Sequence, residues 1–557
     1  MMDLSLGFWL LCLLCSAGGE SSSKAKSCTE VRQAYSAKGF SVSEVPQSEI
    51  SGEHLRICPQ GYTCCTSEME ENFSNKSKVE FEAKLKEASR SVQVILTAQH
   101  KIFDGYFQNL LSNSEKTLQN TFPGMYGELY SQNIKQFKDL YIELRQYYRG
   151  SSVNLEEALH DFWIHLLERL FKLLNPQYQI TDDYLDCLVK HSEQYKPFGE
   201  VPRDLKLKAT RAFIAVRSFV QGLSVGSDVV KRVSQVSLSH ECTRANMKLM
   251  YCSLCRGMPL LKPCTNYCRN VLKGCLANQA DLDTEWKNLI DSMLLVADRF
   301  DSPSNIDSVI GSIHTKISEA ISSMQENKES ITAKVFQACG NPRVNTKGPS
   351  GEEKKRRVKS HAEETSSGSA LEKLVSDAKG KLKDIRDYWI SLPSALCGDR
   401  ATAGSANEDK CWNGMTKGRY LPEVMGDGLA NQINNPEVDV DITKPDMTIR
   451  QQIMQLKIMT NRLRNAYNGN DVDFQDASDD SSGSGSGDGC MDEVCGKKLS
   501  KNSSTRKPET HGNPKQSGRG VHGSKLNDSS SRFQPSNFLI IILLLSGTLL
   551  AAQHLKR

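Results

Sequence analysis

The sequence predicts an all-α protein: an elongated multi-helix core stapled by disulfides, then a disordered C-terminal stalk. Three observations carry this. Apolar residues recur at three- and four-residue steps over long stretches. Period-two alternation is scarce. Of the 18 cysteines, all but Cys12 and Cys15 lie beyond a leader-like start. An even set of that size in a secreted chain reads as a disulfide framework rather than metal sites.

The two ends supply the compartment. Residues 5–17, SLGFWLLCLLCSA, are apolar but shorter than the ~20 residues a bilayer span needs. Small Ala17 and Gly19 sit at cleavage-site spacing, so residues 1–19 are expected to be a signal peptide and Glu20 the mature start; a retained anchor is the competing reading. At the other end, FLIIILLLSGTLLAA (538–552) follows a polar spacer and the small residues NDSSS (527–531). That order is the one a glycosylphosphatidylinositol (GPI) signal has. Asn527 fits best as the anchor site and Ser529 is close behind, with residues 529–557 removed; a short single-span anchor competes. Both ends place the mature chain on the outer leaflet of the plasma membrane, with a shed form secreted.

Residues 20–470 make the core. Cys28, Cys58, Cys64 and Cys65 lie in a Gly/Pro/Ser context and predict an irregular, disulfide-stapled start over 28–65. From Lys78 the rhythm is helical: Phe81, Leu85, Ala88, Val92 and Ile95 share a face, and the pattern persists to about Leu111, with a break expected near Asn120. Residues 155–174 form a second strong helix with Leu159, Phe162, Trp163, Leu166, Leu170 and Leu173 on its apolar side. A third runs through 211–223, and a fourth from Leu371 to Trp389 before Cys397. The last follows Pro445 and spans 446–467, with Ile449, Ile453, Leu456, Met459 and Leu463 as its stripe. VDVDI (438–442) is the one candidate strand. Residues 340–370 are rich in Gly, Pro, Ser and charge and predict an exposed loop. Its KKRR run makes Arg357 a candidate convertase cleavage site; a merely solvated charge run competes.

The net charge of +4 is nearly neutral and selects no partner class, so no nucleic acid is expected. The distribution says more. Residues 471–493 hold Asp471, Asp473, Asp476, Asp479, Asp480, Asp488, Asp492 and Glu493 and no Lys or Arg. Within them Ser482, Ser484 and Ser486 each precede a glycine. A glycosyltransferase must reach a serine hydroxyl on an accessible backbone, and glycine removes the side chain that would block it. The acids attract a basic enzyme surface. An undecorated linker is the competing reading. Past Cys495 the sign reverses, with nine Lys/Arg from Lys497 to Arg532 against Glu509 and Asp528. Cys490 and Cys495 pair locally or stay free; the spacing leaves this open. Asn-x-Ser sequons stand at Asn72, Asn75, Asn502 and Asn527.

The densest constellation is Cys252-Ser-Leu-Cys255-Arg-Gly257-Met258, then Pro263-Cys264, Tyr267-Cys268 and Gly274-Cys275. Two close cysteine pairs are a zinc pattern in isolation, but no second compact ligand set follows. The cluster resembles the signature of the glypican family, heparan sulfate proteoglycans. CTEVRQAYSAKGFS, ISGEHLRICPQGYTCCTSEMEEN and GRYLPEVMGDGLANQINNPEV look like glypican sequence too, so the resemblance covers nearly the whole mature chain. It implies a helical core with seven disulfides: Cys28–Cys64, Cys58–Cys252, Cys65–Cys255, Cys187–Cys339, Cys242–Cys275, Cys264–Cys411 and Cys268–Cys397. It implies that Ser482, Ser484 and Ser486 carry heparan sulfate within a disordered stalk, residues 471–528, and that Asn75 is an N-glycan position. The partners implied are heparin-binding growth factors and morphogens, held through the sulfated chains, on a monomeric core. The alternative is direct protein binding by the cysteine-rich core. No nucleophile elbow, HExxH or phosphate loop is present, so no enzyme, no cofactor and no metal is expected. His160 and His165 are five residues apart, off a common helical face, and read as ordinary helix residues.

Overall fold

The computed structural model describes residues 26–301, 305–345 and 368–471. A short helix α1 (Thr29–Ala37) precedes a two-stranded antiparallel hairpin, β1 (Ile50–Ser51) and β2 (Tyr62–Thr63), so the N-terminal segment is more regular than its composition predicts. Then comes α2 (Ser67–Tyr126), 60 residues in one helix. At 1.5 Å per residue it is about 90 Å long, and it sets the long dimension of the core.

Helix α2 starts earlier and ends later than its apolar rhythm predicts. Thr66 caps it by accepting a hydrogen bond from the Met69 amide (3.3 Å). Its buried stripe begins at Met69 and Phe73 but includes Ser77, Ser89, Gln99 and Ser114, which interrupt an apolar reading. Each of these has a use: Ser77 donates to the Ser74 carbonyl (2.8 Å), Ser89 pairs with the Tyr388 hydroxyl (3.0 Å), Gln99 donates to Asp377 (3.2 Å), and Ser114 donates to the Ile310 carbonyl (2.8 Å). The break expected near Asn120 does not occur. Leu118 and Phe122 continue the stripe, and Phe122 packs among Tyr126, Tyr130 and Phe137. Pro123 falls in the last turn, where it gives up the amide bond back to the Gln119 carbonyl, while its own carbonyl accepts from the Gly127 amide (3.1 Å) that closes the helix.

A bundle is built on the C-terminal two-thirds of α2. Helix α3 (Glu128–Arg149) packs beside it and α4 (Leu155–Leu174) packs on α3, followed by β3 (Tyr178–Gln179), α5 (Asp182–Lys190), α6 (Ser192–Tyr195) and α7 (Val201–Val233), which lies against both α2 and α4. Helix α7 is long and apolar enough to cross a bilayer, but 72% of its apolar window is buried against α2 and α17, which is what a core helix does. The cysteine signature folds as α8 (His240–Cys255) and α9 (Thr265–Cys275). After α10 (Ala277–Ala280), helices α11 (Asp283–Asp298), α12 (Ile306–Gly311), α13 (Ile313–Glu326) and α14 (Lys328–Cys339) extend the bundle. Strand β4 (Arg343–Val344) pairs with β3, so the described start of the 340–370 segment is anchored rather than free; residues 346–367, with Arg357, lie outside the described residues.

The predicted helix over 371–389 is two: α15 (Gly368–Asp384) and α16 (Tyr388–Leu396). The Ile385 carbonyl accepts from the Trp286 indole N–H (2.8 Å) and, in a tightened turn, from the Tyr388 amide (3.3 Å), and Arg386 turns out to hold Asp291 through two bonds (2.8 and 2.9 Å). That guanidinium keeps the Asp291 carboxyl below its usual range. The chain then wanders through long loops to α17 (Met447–Asn468), which lies against α7 and α11. The strand expected at 438–442 is absent. Val438 is buried and seated on Gly274, where a Cβ would stand 2.7 Å from the valine Cβ. The glycine of the Gly274-Cys275 pair is therefore a packing requirement.

Two apolar cores result. The larger runs from Val92 to Ala466 through the bundle; the smaller gathers Val31, Tyr35, Phe73, Leu85, Tyr251, Tyr267 and Trp412 with the bridged cysteines. Helix α2 threads both.

Candidate glycan root and cysteine-rich lobe

Among the described residues there are seven disulfides, and six of them stitch the smaller core. Helix α8 supplies Cys252 to Cys58, Cys255 to Cys65 and Cys242 to Cys275; α9 supplies Cys268 to Cys397; Cys264 joins Cys411 and Cys28 joins Cys64. The seventh, Cys187–Cys339, ties α5 to α14 in the bundle. These are the seven pairs the resemblance implies. The zinc reading of Cys252, Cys255, Cys264 and Cys268 falls with them, because a bridged sulfur has no thiolate to offer a metal.

Hydrogen bonds complete the lobe. The buried Glu70 carboxylate, on the first turn of α2, accepts from the backbone amides of Arg56 (2.8 Å), Ile57 (2.9 Å) and Cys58 (2.8 Å). One side chain thus orders the approach to the Cys58 bridge. The Cys255 carbonyl accepts from the Cys64 amide (2.8 Å) and the Thr63 hydroxyl (3.0 Å). Gly257, at φ +74°, takes the left-handed turn that ends α8.

The two sequons on α2 differ. Asn75 is exposed. Asn72 is half-buried, and its amide nitrogen donates to the Tyr35 hydroxyl (3.0 Å) and to Glu44 (3.2 Å). Burial and the Glu44 bond push the Tyr35 phenol up to about 12.

The described chain leaves the core at Asp471, eleven residues before Ser482. This exit is clasped. Arg299 lies over the Tyr467 ring (4.3 Å) and donates to its carbonyl (3.2 Å). Gly469, at φ +82°, ends α17 against the stem of Arg211. The fully buried Tyr147 donates its hydroxyl to Asp471 (2.8 Å), while the Arg217 guanidinium stacks on the same ring (4.6 Å). Burial first, and the Asp471 carboxylate second, raise the Tyr147 phenol. No sequence signal marks Tyr147, since its role depends on α3 meeting the end of α17. Ser482, Ser484, Ser486, Cys490, Cys495, Asn502, Asn527 and Ser529 lie outside the described residues.

One cavity, about 410 Å³, opens between α4 and the start of α7; Trp163, Leu167 and Phe198 line it beside His160, Arg203 and Lys206. His165 spends its Nδ1 on the Asp161 carbonyl of its own helix (2.7 Å).

A family model described as Glypican matches residues 9–550. The chain belongs to the glypican family. Among glypicans it is similar to Glypican-1 of Gallus gallus, 71% identical over 552 residues that cover 99% of each chain. The crystal structure of a C-terminally truncated glypican-1 superposes with a TM-score of 0.74 at 62% identity, covering 80% of this chain and all of that one. Dally-like protein, solved in complex with O-palmitoleoyl serine, gives 0.64 at 34% identity with the same coverage. A glypican is a proteoglycan core protein, and the lobe and bundle described above are that core.

Proposed function

We propose that this glypican is a GPI-anchored cell-surface heparan sulfate proteoglycan that captures heparin-binding growth factors and morphogens and modulates their signalling as a co-receptor. The observation that carries the reading is the acid-flanked Ser482-Gly, Ser484-Gly, Ser486-Gly run, which begins eleven residues after the clasped Asp471. Residues 1–19 are the signal peptide, 20–470 the core, 471–528 the stalk and 529–557 the removed anchor signal, attached through Asn527 or Ser529. Asn75 is the better N-glycan acceptor because the Asn72 amide is already engaged; Asn502 stands in the stalk. Arg357 is the convertase position.

Sulfated chains bind basic ligand surfaces largely by releasing counterions, as other polyanions do, so capture weakens steeply with salt. Several chains on one root raise the local ligand concentration and permit multivalent capture. The basic stalk from Lys497 to Arg532 draws these chains toward the membrane.

Heparinase digestion of lipase-released protein tests this. The native protein collapses from a heterogeneous smear to a discrete band, and the S482A/S484A/S486A variant starts as that band. A native protein indifferent to heparinase refutes the reading. A second reading, ligand binding by the core without sugar, is favoured by the apolar-floored cavity at Trp163, whose size is within the range of ligand pockets. Acyl ligands are a candidate, given the Dally-like complex. Ligand capture that survives the triple serine change selects this second reading.

A further inference from the structure

The Cys187–Cys339 bridge differs from the other six. In each of those at least one cysteine is almost fully buried in the lobe core. Cys187 and Cys339 are both only half-buried, at the edge of the bundle core. Thiol–disulfide exchange requires a thiolate to reach one sulfur, so a buried bridge must wait for local opening while an exposed one need not.

A second feature lies beside it. The His191 Nδ1 is 2.9 Å from the Cys187 carbonyl oxygen and 3.7 Å from the Cys187 sulfur. A carbonyl oxygen only accepts, so Nδ1 carries the proton and presents it to both atoms. The ring is held there by stacking on Tyr195, centroids 5.9 Å apart and planes 11° from parallel. An N–H donor next to one sulfur stabilises negative charge on that sulfur, which makes Cys187 the better leaving group.

We propose that Cys187–Cys339 is a thiol-exchange site for small external thiols. The incoming thiolate bonds to Cys339 Sγ, the Cys187–Cys339 bond breaks, and its electron pair leaves on Cys187 Sγ, beside the His191 N–H. A second thiol then displaces the first from Cys339. The net result is one new external disulfide and two reduced cysteines, with the protein bridge as oxidant and two thiols as reductant. The core survives this change. Tyr184 still donates to the Gly340 carbonyl (2.9 Å), the Tyr178–Val344 and Gln179–Arg343 pairs still hold β3 to β4, and Phe336 still packs edge-on against Tyr178 (5.0 Å). What is released is the covalent strap before the segment that carries Arg357. The inference is independent of the sugar chains.

The test uses the full mature protein, native in buffer, with graded reduced glutathione. Free thiols are trapped with N-ethylmaleimide and peptides are mapped by mass spectrometry, with Cys490 and Cys495 scored separately. Expected are maleimide on Cys187 and glutathione on Cys339 at least about a hundredfold sooner than at any lobe cysteine, the scale on which local opening protects buried sites. Opening of a lobe bridge first or at the same rate overturns the proposal, and so does a glutathione adduct confined to Cys187. His191→Phe preserves the stack on Tyr195 and removes the N–H. It is expected to slow exchange several-fold and to spread the adduct over both sulfurs, while near-ultraviolet circular dichroism stays native. An unchanged rate and adduct pattern would overturn the role given to His191.

Discussion

The lobe and the bundle share one helix and hold together by different means. Along the bundle, α2 meets long amphipathic partners, and aromatic side chains fill the space between them: Phe103 on Phe219, Phe107 on Phe213, Phe122 on Phe137. Burial of one large apolar side chain is worth roughly 1.5–3 kcal/mol, and the bundle has dozens. Along the lobe, α2 meets the 16-residue α8, and the rest of the lobe is short helices, a hairpin of two-residue strands and the loops from Cys397 to Val438. Loops give little continuous surface to bury, and their backbone entropy must be opposed otherwise. Six bridges and the Glu70 carboxylate do so. The lesson is that cross-links gather where regular structure is sparse.

The largest effect that follows is at Cys58–Cys252. The bridge spans 194 residues, so the chain-entropy account gives it about 5 kcal/mol. Cys187–Cys339 spans 152, and the same account makes it nearly equal. The two cores make the outcomes differ. The C58S/C252S variant should lose the lobe as a unit, seen as rapid amide exchange over α8 and α9 and low secretion. The C187S/C339S variant should keep both cores and shift the unfolding midpoint without local loss of protection outside α5, α14 and the β3–β4 pair. Equal local damage in the two variants would break the comparison.

The same contrast decides what could be read in the sequence. Helix α4 was legible almost to the residue, 155–174, because its whole stripe is apolar and Asn154 caps it by accepting from the Glu156 and Glu157 amides. Helix α3 was not, since tyrosines and Asn133 share its buried face and tyrosine reads as ambivalent. The limits of α2 were blurred by buried serines: Ser77, which bonds back to the Ser74 carbonyl, and Ser114, whose partners are Tyr141 and the distant Ile310 carbonyl. In the lobe, local patterning failed altogether at 438–442, where a neighbouring glycine rather than a strand partner uses Val438. The disulfide pairing came from the family resemblance, because spacing alone leaves many connectivities open. The serine–glycine run was visible from composition, while the clasp at Asp471 was not.

A middle-sized effect tests whether Glu70 acts as a cross-link. Three amides donate to one buried carboxylate. Glu70→Gln keeps the shape but replaces one acceptor oxygen with an NH₂ that faces donors. The expected loss is about 1–3 kcal/mol, the cost of leaving buried hydrogen-bonding groups unmatched. It should appear as faster exchange at Arg56, Ile57 and Cys58 with the bundle unmoved. A uniform loss across both cores would show that lobe and bundle unfold together.

The smallest effect lies where the bundle hands the chain on to the acidic serine–glycine segment. Tyr147→Phe removes one hydroxyl and leaves the ring under Arg217. The lost hydrogen bond to Asp471 is worth about 1 kcal/mol, too little to move the global midpoint by more than a few degrees. Its consequence is local. Arg299 still grips Tyr467, so α17 should hold to its last turn, while the amides of Asn470 and Asp471 lose protection. A spin label placed at residue 476 should then tumble faster in the variant than in the parent. If label mobility is the same in both, the root of the acidic segment is set by Gly469 and Arg211 alone, and the tyrosine–aspartate contact has no part in presenting the serines.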